Sequence, residues 1–451
     1  MKLKSTHIII IIALIALGVL SWRGAIMVKV HDYQNFTSHL KEARKFAEKD
    51  LYKKAIQNYD QAFKTGGANL DWQEEDSVYR KYVEFTHGAV ESDYINFLKK
   101  AQEAQPKHYS YSKENLKILL AREDLPEAYR LAGEAQENFP KNKFFAKNTD
   151  SLKYAYTSDY RSYKEIEPGF NGTYKVGNAV VSSGGDTIAR GQYVSPAGEK
   201  NRVVVKKALD DSGDLAQDPE ASSQAETFIV ENGEDIGRID NDIKSAGFYS
   251  GGVVAVQKDN GNYAYFDTEK QAIADEYKFS STFTLGFAAV QNLDGKWGII
   301  NQFGKYSVKP TFDDIKLDEF DKYSSDSVYL AKTNDVYHIY STDKNQQVGK
   351  FAANRVDAPS YLIAYMDNKG KWGFVDTTGK VVIKPQYDEA KSFEGGLAPV
   401  KKGDKWGAIS QDNKLRIPYN YNYLTGIGAN KQVIFQEKED GDYQFLRFIN
   451  L

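Results

Sequence analysis

Lys371-Trp372-Gly373-Phe374-Val375-Asp376-Thr377-Thr378-Gly379-Lys380 has two close copies, Lys296-Trp297-Gly298-Ile299-Ile300-Asn301-Gln302-Phe303-Gly304-Lys305 and Lys405-Trp406-Gly407-Ala408-Ile409-Ser410-Gln411-Asp412-Asn413-Lys414. A motif that returns at a fixed period marks an array of like supersecondary units. The flanking residues read as strands and turns. Leu397-Ala398-Pro399-Val400-Lys401 alternates as a strand, Gly403-Asp404 turns, Trp406 to Ile409 forms the next strand, and Asp412-Asn413 turns again. Alignment on the Trp extends the array to Tyr443 on one side. On the other it passes through Tyr337 and Tyr263 to Phe228 and Gly191, at intervals of 34 to 40 residues. About eight units result. The repeat motif residues are Trp297, Gly298, Trp372, Gly373, Trp406 and Gly407, and their expected role is structural. The Trp caps the apolar layer between units, and the Gly lets a neighbouring backbone or side chain approach closely.

The pattern is similar to the WG-repeat (KWG) family of bacterial proteins. The family motif, Gly-Lys-Trp-Gly, two hydrophobic residues, Asp-x-x-Gly-Lys-Val-Val-Ile-x-Pro-x-Tyr-Asp, is matched nearly throughout from Gly370 to Asp388, and the resemblance covers residues 170–451. It implies tandem β-repeats used as a binding or scaffolding surface, with no catalytic residues to carry over. A closed β-propeller-like array is expected, because closure protects sheet edges. An open β-solenoid is the alternative, and contact between the first and last units discriminates them.

Upstream, from residue 33 to 156, apolar spacing is helical with few glycines and prolines. Ala43, Phe46, Ala55, Tyr59 and Ala62 place small and large residues where paired helices touch. Leu116, Leu119, Ala128, Ala132 and Ala135 repeat that arrangement before Pro140. A looser unit holds Tyr82, Phe85, Tyr94, Leu98 and Ala101. This region resembles a tetratricopeptide-like helical array; an unrelated helical bundle is the alternative. Residues 157–172, with turn signals Pro168-Gly169 and Asn171-Gly172, are expected to link it to a β domain over 173–451.

At the N-terminus, Lys2 and Lys4 precede an uncharged run from Ile8 to Trp22. A basic head and an apolar run are the pattern of an export signal, and extension to Val28 supplies the length of a span. Leu20-Ser21-Trp22-Arg23 lacks the small residues of a cleavage site. The expectation is an uncleaved signal anchor over 7–28, a cytoplasmic N-terminus at 1–6, and an extracytoplasmic bulk in a single-pass cell-membrane protein. Secretion after signal cleavage is the alternative.

Composition narrows the function classes. The 451 residues carry a net charge of −3 and no cysteine. Disulfides, thiol nucleophiles and an N-terminal lipidated Cys are thereby excluded, and no electrostatic reason for nucleic-acid binding exists. Of 6 His, only His338 lies in the β array, which rules out a His triad or multi-His metal site there. Lys64-Thr65-Gly66 ends a helix rather than forming a penicillin-binding motif. Asp210-Asp211-Ser212-Gly213-Asp214, with Asp218 and Glu220, misses calcium-loop spacing and reads as a solvated connector. Tyr419, Tyr421 and Tyr423 alternate, so they are expected on one strand face, for packing or for stacking sugar rings. No catalytic, cofactor or metal residues and no small-molecule substrate are expected. The chain reads as a non-catalytic, membrane-anchored binding scaffold for protein or envelope partners, with a cell-wall glycan-binding module as the alternative.

Overall fold

The computed structural model describes residues 27–66, 72–212, 214–217, 224–239, 243–428 and 431–451. The expected anchor lies almost wholly outside these residues, as do Asp218 and Glu220 of the acidic connector. No helix of the described residues is long and apolar enough to cross a membrane. The chain forms two compact units, one ending at Ala155 and the other running from Tyr156 to Ile449.

Seven helices make up the first unit among the described residues. They are α1 (27–47), α2 (Tyr52–Gly66), α3 (Trp72–Phe85), α4 (Glu91–Ala104), α5 (Ser110–Ala121), α6 (Leu125–Asn138) and α7 (Lys143–Lys153). Local chemistry fixes the starts. The Asp124 carboxylate accepts from the Glu127 N–H to cap α6, whose first turn holds Pro126, and the Asn142 side chain caps α7 through Phe144. Small residues let the helix axes approach, and Ala43, Ala55, Ala62, Ala101, Ala128 and Ala132 are all fully buried. Phe85, expected in the core, is instead 70% exposed at the end of α3.

The second unit is an eight-bladed β-propeller. Its blades comprise residues 167–190, 193–239, 243–266, 279–312, 314–352, 355–387, 389–421 and 423–448, each an antiparallel sheet built by successive hairpins. In blade 6 the strands are Arg355–Val356, Leu362–Met366, Trp372–Asp376 and Val381–Tyr387. Its two middle strands are buried on both faces because each blade is sandwiched between neighbours. Ala364, Trp372 and Phe374 face blade 7, meeting Ala390, Phe393 and Val400. Ile363, Tyr365 and Val375 face blade 5, meeting Leu330 and Ile339. The outer strand has one dry side only, and Val381 and Val382 are open to solvent.

The ring is closed, so the solenoid alternative is set aside. Tyr156–Tyr163 pairs antiparallel with Tyr443–Phe448 as the fourth strand of blade 8, with Tyr156 opposite Phe448 and Ser158 opposite Leu446. On the other side of blade 8, the Tyr174 ring of blade 1 lies 4.7 Å from that of Phe445. The Tyr174 hydroxyl is 2.6 Å from the Gln432 side-chain amide. The expected linker over 157–172 is therefore corrected: it carries the closing strand and the first strand of blade 1, Glu167–Pro168. Strand pairing with the far end of the chain leaves no local sequence signal.

Three further readings change. In blade 1 the third strand is Ala179–Val181, and Gly191 lies beyond the fourth strand, Thr187–Arg190. In blade 2, Thr227 faces Ile239 as Trp372 faces Tyr387, so the alignment on Phe228 is one residue late. Tyr419 and Tyr421 belong to the outer strand of blade 7, whereas Tyr423 opens the first strand of blade 8. They share no face: Tyr421 packs edge-on against Phe435 and Tyr423 against Tyr443.

Candidate functional site

The repeat motif residues occupy equivalent places in blades 4, 6 and 7 and are not brought together. Trp297 and Trp372 start the third strand of their blades and Trp406 is the second residue of its own, each less than a tenth exposed. The Gly that follows marks a shift of register against the outer strand. A Cβ on Gly373 would lie 2.5 Å from the Ile383 carbonyl oxygen and 2.6 Å from the Pro385 nitrogen, both backbone. Gly298 meets Val308 and Pro310 in the same way, and Gly407 meets Ile417 and Pro418. The Trp-Gly pair and the Pro of the following strand are thus two sides of one β-bulge.

The Asp-x-x-Gly-Lys segment is a turn that holds itself. Asp376 Oδ1 accepts from the Thr378 and Lys380 N–H groups, and Gly379 takes a φ of +86°. Lys of Lys-Trp-Gly reaches the Asp that follows the outer strand of the same blade, as in Lys296–Asp313 at 2.7 Å and Lys371–Asp388. Both pairs are exposed, so they order the surface more than they stabilise it.

Loops joining the first and second strands of the blades meet at the propeller axis. Phe170, Phe248 and Phe320 come from the non-adjacent blades 1, 3 and 5, yet their ring centroids lie 5.2 to 5.6 Å apart. Contact across the ring of blades places these loops at the centre. Lys322 Nζ stands 4.1 Å from the Phe170 centroid and 5.3 Å from that of Phe320. Beside this aromatic cluster is a cavity of about 310 Å³ whose wall includes Asp318, Glu319, Asp357, Lys391 and Glu394.

The polar groups of this cavity are unevenly satisfied. Asp318 Oδ1 accepts from the Phe320 and Lys322 N–H groups, which shapes the loop. Asp357 Oδ2 accepts from the Ser392 N–H at 2.6 Å. Neither Glu319 nor Glu394 has a hydrogen-bond donor among the described residues. Burial raises the Glu394 carboxyl to about 8, with Glu319, Asp318 and Asp326 adding repulsion and Lys322 opposing it. Burial, then Asp318, lifts Asp321 to about 6. Carboxylates therefore crowd the cavity wall, with Lys391 beside them. Such a wall favours a ligand that brings cationic N–H groups.

Sequence reading missed these residues. Their signal lies in how blade 5 departs from its neighbours, with Leu317-Asp318-Glu319-Phe320-Asp321-Lys322 in a longer loop between Ile315 and Val328, where blade 7 passes from Ala390 to Leu397. Other sequence candidates stay apart. His338 is in a strand of blade 5, its Nδ1 3.0 Å from Gln347. Lys64-Thr65-Gly66 closes α2. Asp210 Oδ1 accepts from the N–H groups of Ser212 and Asp214, a turn bonded within itself. Among the described residues, no group of three or more acidic or His side chains has metal-binding geometry.

The family model for the WG containing repeat matches residues 297–337 and 372–406. Solved structures similar to this chain include BamB from Moraxella catarrhalis, at 11% identity over 65% of this chain and 100% of that one, with a TM-score of 0.43. The computationally designed Ika8 protein matches at 12% identity over 66% of this chain and 96% of its own, with a TM-score of 0.39. Hsv2 from Kluyvelomyces marxianus matches at 11% identity over 57% of this chain and 97% of its own, with a TM-score of 0.35. No curated protein sequence matches.

Proposed function

This chain is a WG-repeat protein, and from that premise we propose that it is a non-catalytic binding scaffold whose propeller receives a basic segment of a protein partner at its axis. The observation that carries the reading is the pair of carboxylates, Glu319 and Glu394, in the wall of one cavity, neither with a hydrogen-bond donor among the described residues. An Arg or Lys side chain supplies those donors, and Phe320 and Phe393 offer apolar contact for its stem. The apolar run from Ile8 to Trp22 supports anchoring in the cell membrane, with both repeat units on the extracytoplasmic side. A cell-wall glycan-binding module is the second reading. Of the tyrosines that could stack on sugar rings, Tyr421 packs against Phe435 and Tyr423 against Tyr443.

The test uses a fluorescent nona-arginine peptide, its nona-glutamate counterpart and purified envelope glycans. The protein is expected to bind the arginine peptide alone, less tightly as salt rises. Glu319→Lys with Glu394→Lys should weaken that binding by about a hundredfold or more, as like charges replace the pairing. Glycan binding that survives the double substitution would support the second reading and contradict the first.

A further inference from the structure

A different charge problem lies in the helical unit. Along α3, Trp72, Glu75, Val78 and Tyr79 are the buried residues, which puts a carboxyl on the stripe that packs against the other helices. Glu75 has no exposed surface, and neither of its oxygens has a hydrogen-bond partner. Leaving an ionised carboxylate there without donors is costly, so the group is buried in its neutral form.

The groups around it are already committed. From α4, Lys100 Nζ bonds Asp60 of α2 at 2.7 Å and stands 4.2 Å from the Phe63 centroid. Arg44 of α1 holds the adjacent Glu74 through two bonds of 2.8 and 2.9 Å, and the Tyr59 hydroxyl of α2 reaches Glu74 as well. Tyr79 is on the same face of α3 one turn on. Its ring is stacked 4.8 Å from Phe97 of α4. Among these neighbours, Lys100 is the cation that favours ionised Glu75 and Asp60 the anion that opposes it. Asp60, Tyr79, Phe97 and Lys100 also line an open groove of about 470 Å³.

We infer that Glu75 is a proton-operated latch of the helical unit. With its proton, the carboxyl stays in the apolar layer between α2, α3 and α4. Without it, water and Lys100 are drawn to the carboxylate, the Lys100–Asp60 pair on the groove wall breaks, and the layer loosens. The folded group titrates near 8, above its ordinary 4.5, chiefly through burial. The folded unit therefore holds this proton more tightly than the unfolded chain does. Its stabilising effect is complete below the ordinary value and is lost as pH rises toward 8, with no further loss above that.

Hydrogen exchange of the full chain, followed by mass spectrometry and corrected for the chemical exchange rate, tests the latch. The opening equilibrium of residues 72–104 should rise by up to about tenfold per pH unit between about pH 5 and about pH 8. Segments of blade 6 serve as an internal reference and should not follow. Glu75→Gln keeps the shape without the titration and should make the helical profile flat. Asp60→Asn removes the repulsion and frees Lys100, so its rise should level off at lower pH. A wild-type profile as flat as that of Glu75→Gln would overturn the latch. If Glu75→Gln does not fold, Asp60→Asn decides the matter: an unshifted profile overturns it.

Discussion

A β domain beginning at Ala155 should melt in one cooperative transition, and the same domain beginning at Lys164 should lose most of that cooperativity. The difference is the closing strand. Without Tyr156–Tyr163, the backbone groups of Tyr443–Phe448 that face it become an unpaired edge. The Tyr156 and Tyr163 rings leave Phe448 and Phe445, which they meet edge-on at 5.9 and 6.0 Å. Several ladder bonds at a net of about 1 kcal/mol each, plus two aromatic contacts of about 1 kcal/mol, give a loss of roughly 5–8 kcal/mol. That approaches the whole stability of an ordinary domain, roughly 5–15 kcal/mol. Calorimetry of the two fragments measures it. Equal melting temperatures would mean that the strand is an ornament on blade 8 rather than its closure.

Trp372→Ala should cost the β domain about 3–5 kcal/mol, because a large ring is removed from a packed layer that cannot collapse onto the space. The ring is 6% exposed and sits with Leu362, Ile383 and Tyr387. Gly373→Ala should cost about 3 kcal/mol by the opposite route. Its methyl would overlap the backbone at Ile383 and Pro385, so the bulge that holds the outer strand must open. Urea titration of both variants checks the pair. Unchanged midpoints would show that the motif is not structural, and a ligand-binding role for Trp372 would then follow.

The sequence made blades 4, 6 and 7 legible because local rules coincide in them. The Trp-Gly bulge and a Pro in the outer strand are present in all three, and the self-bonded turn is added by Asp376 in blade 6 and Asn301 in blade 4. Where those markers are missing, only alternation remains. A period of two then leaves register open to a one-residue slip, as at Phe228. Helices were legible from the burial of small residues such as Ala55 and Ala132, although Phe85 showed that an aromatic at the right spacing need not be covered. The closing strand was invisible for a physical reason: Tyr156 and Phe448 pair across nearly the whole domain, and nothing in residues 156–163 encodes that partner. The axial cavity was hidden likewise, since Asp318 and Glu319 belong to blade 5 and Glu394 to blade 7, and only the curvature of the ring brings them together.

Ring closure is most directly tested by a cross-link. Thr157 and Arg447 are opposite one another in the closing pair, and both are exposed. Opposed residues of antiparallel strands have Cα atoms about 4.5–5.5 Å apart, within the span of a disulfide. The chain has no cysteine of its own. Thr157→Cys with Arg447→Cys is therefore expected to form a single disulfide within each monomer under mild oxidation, read as one shifted band and an unchanged molecular mass in solution. Two thiols that stay free, or that join only between molecules, would contradict the closed propeller.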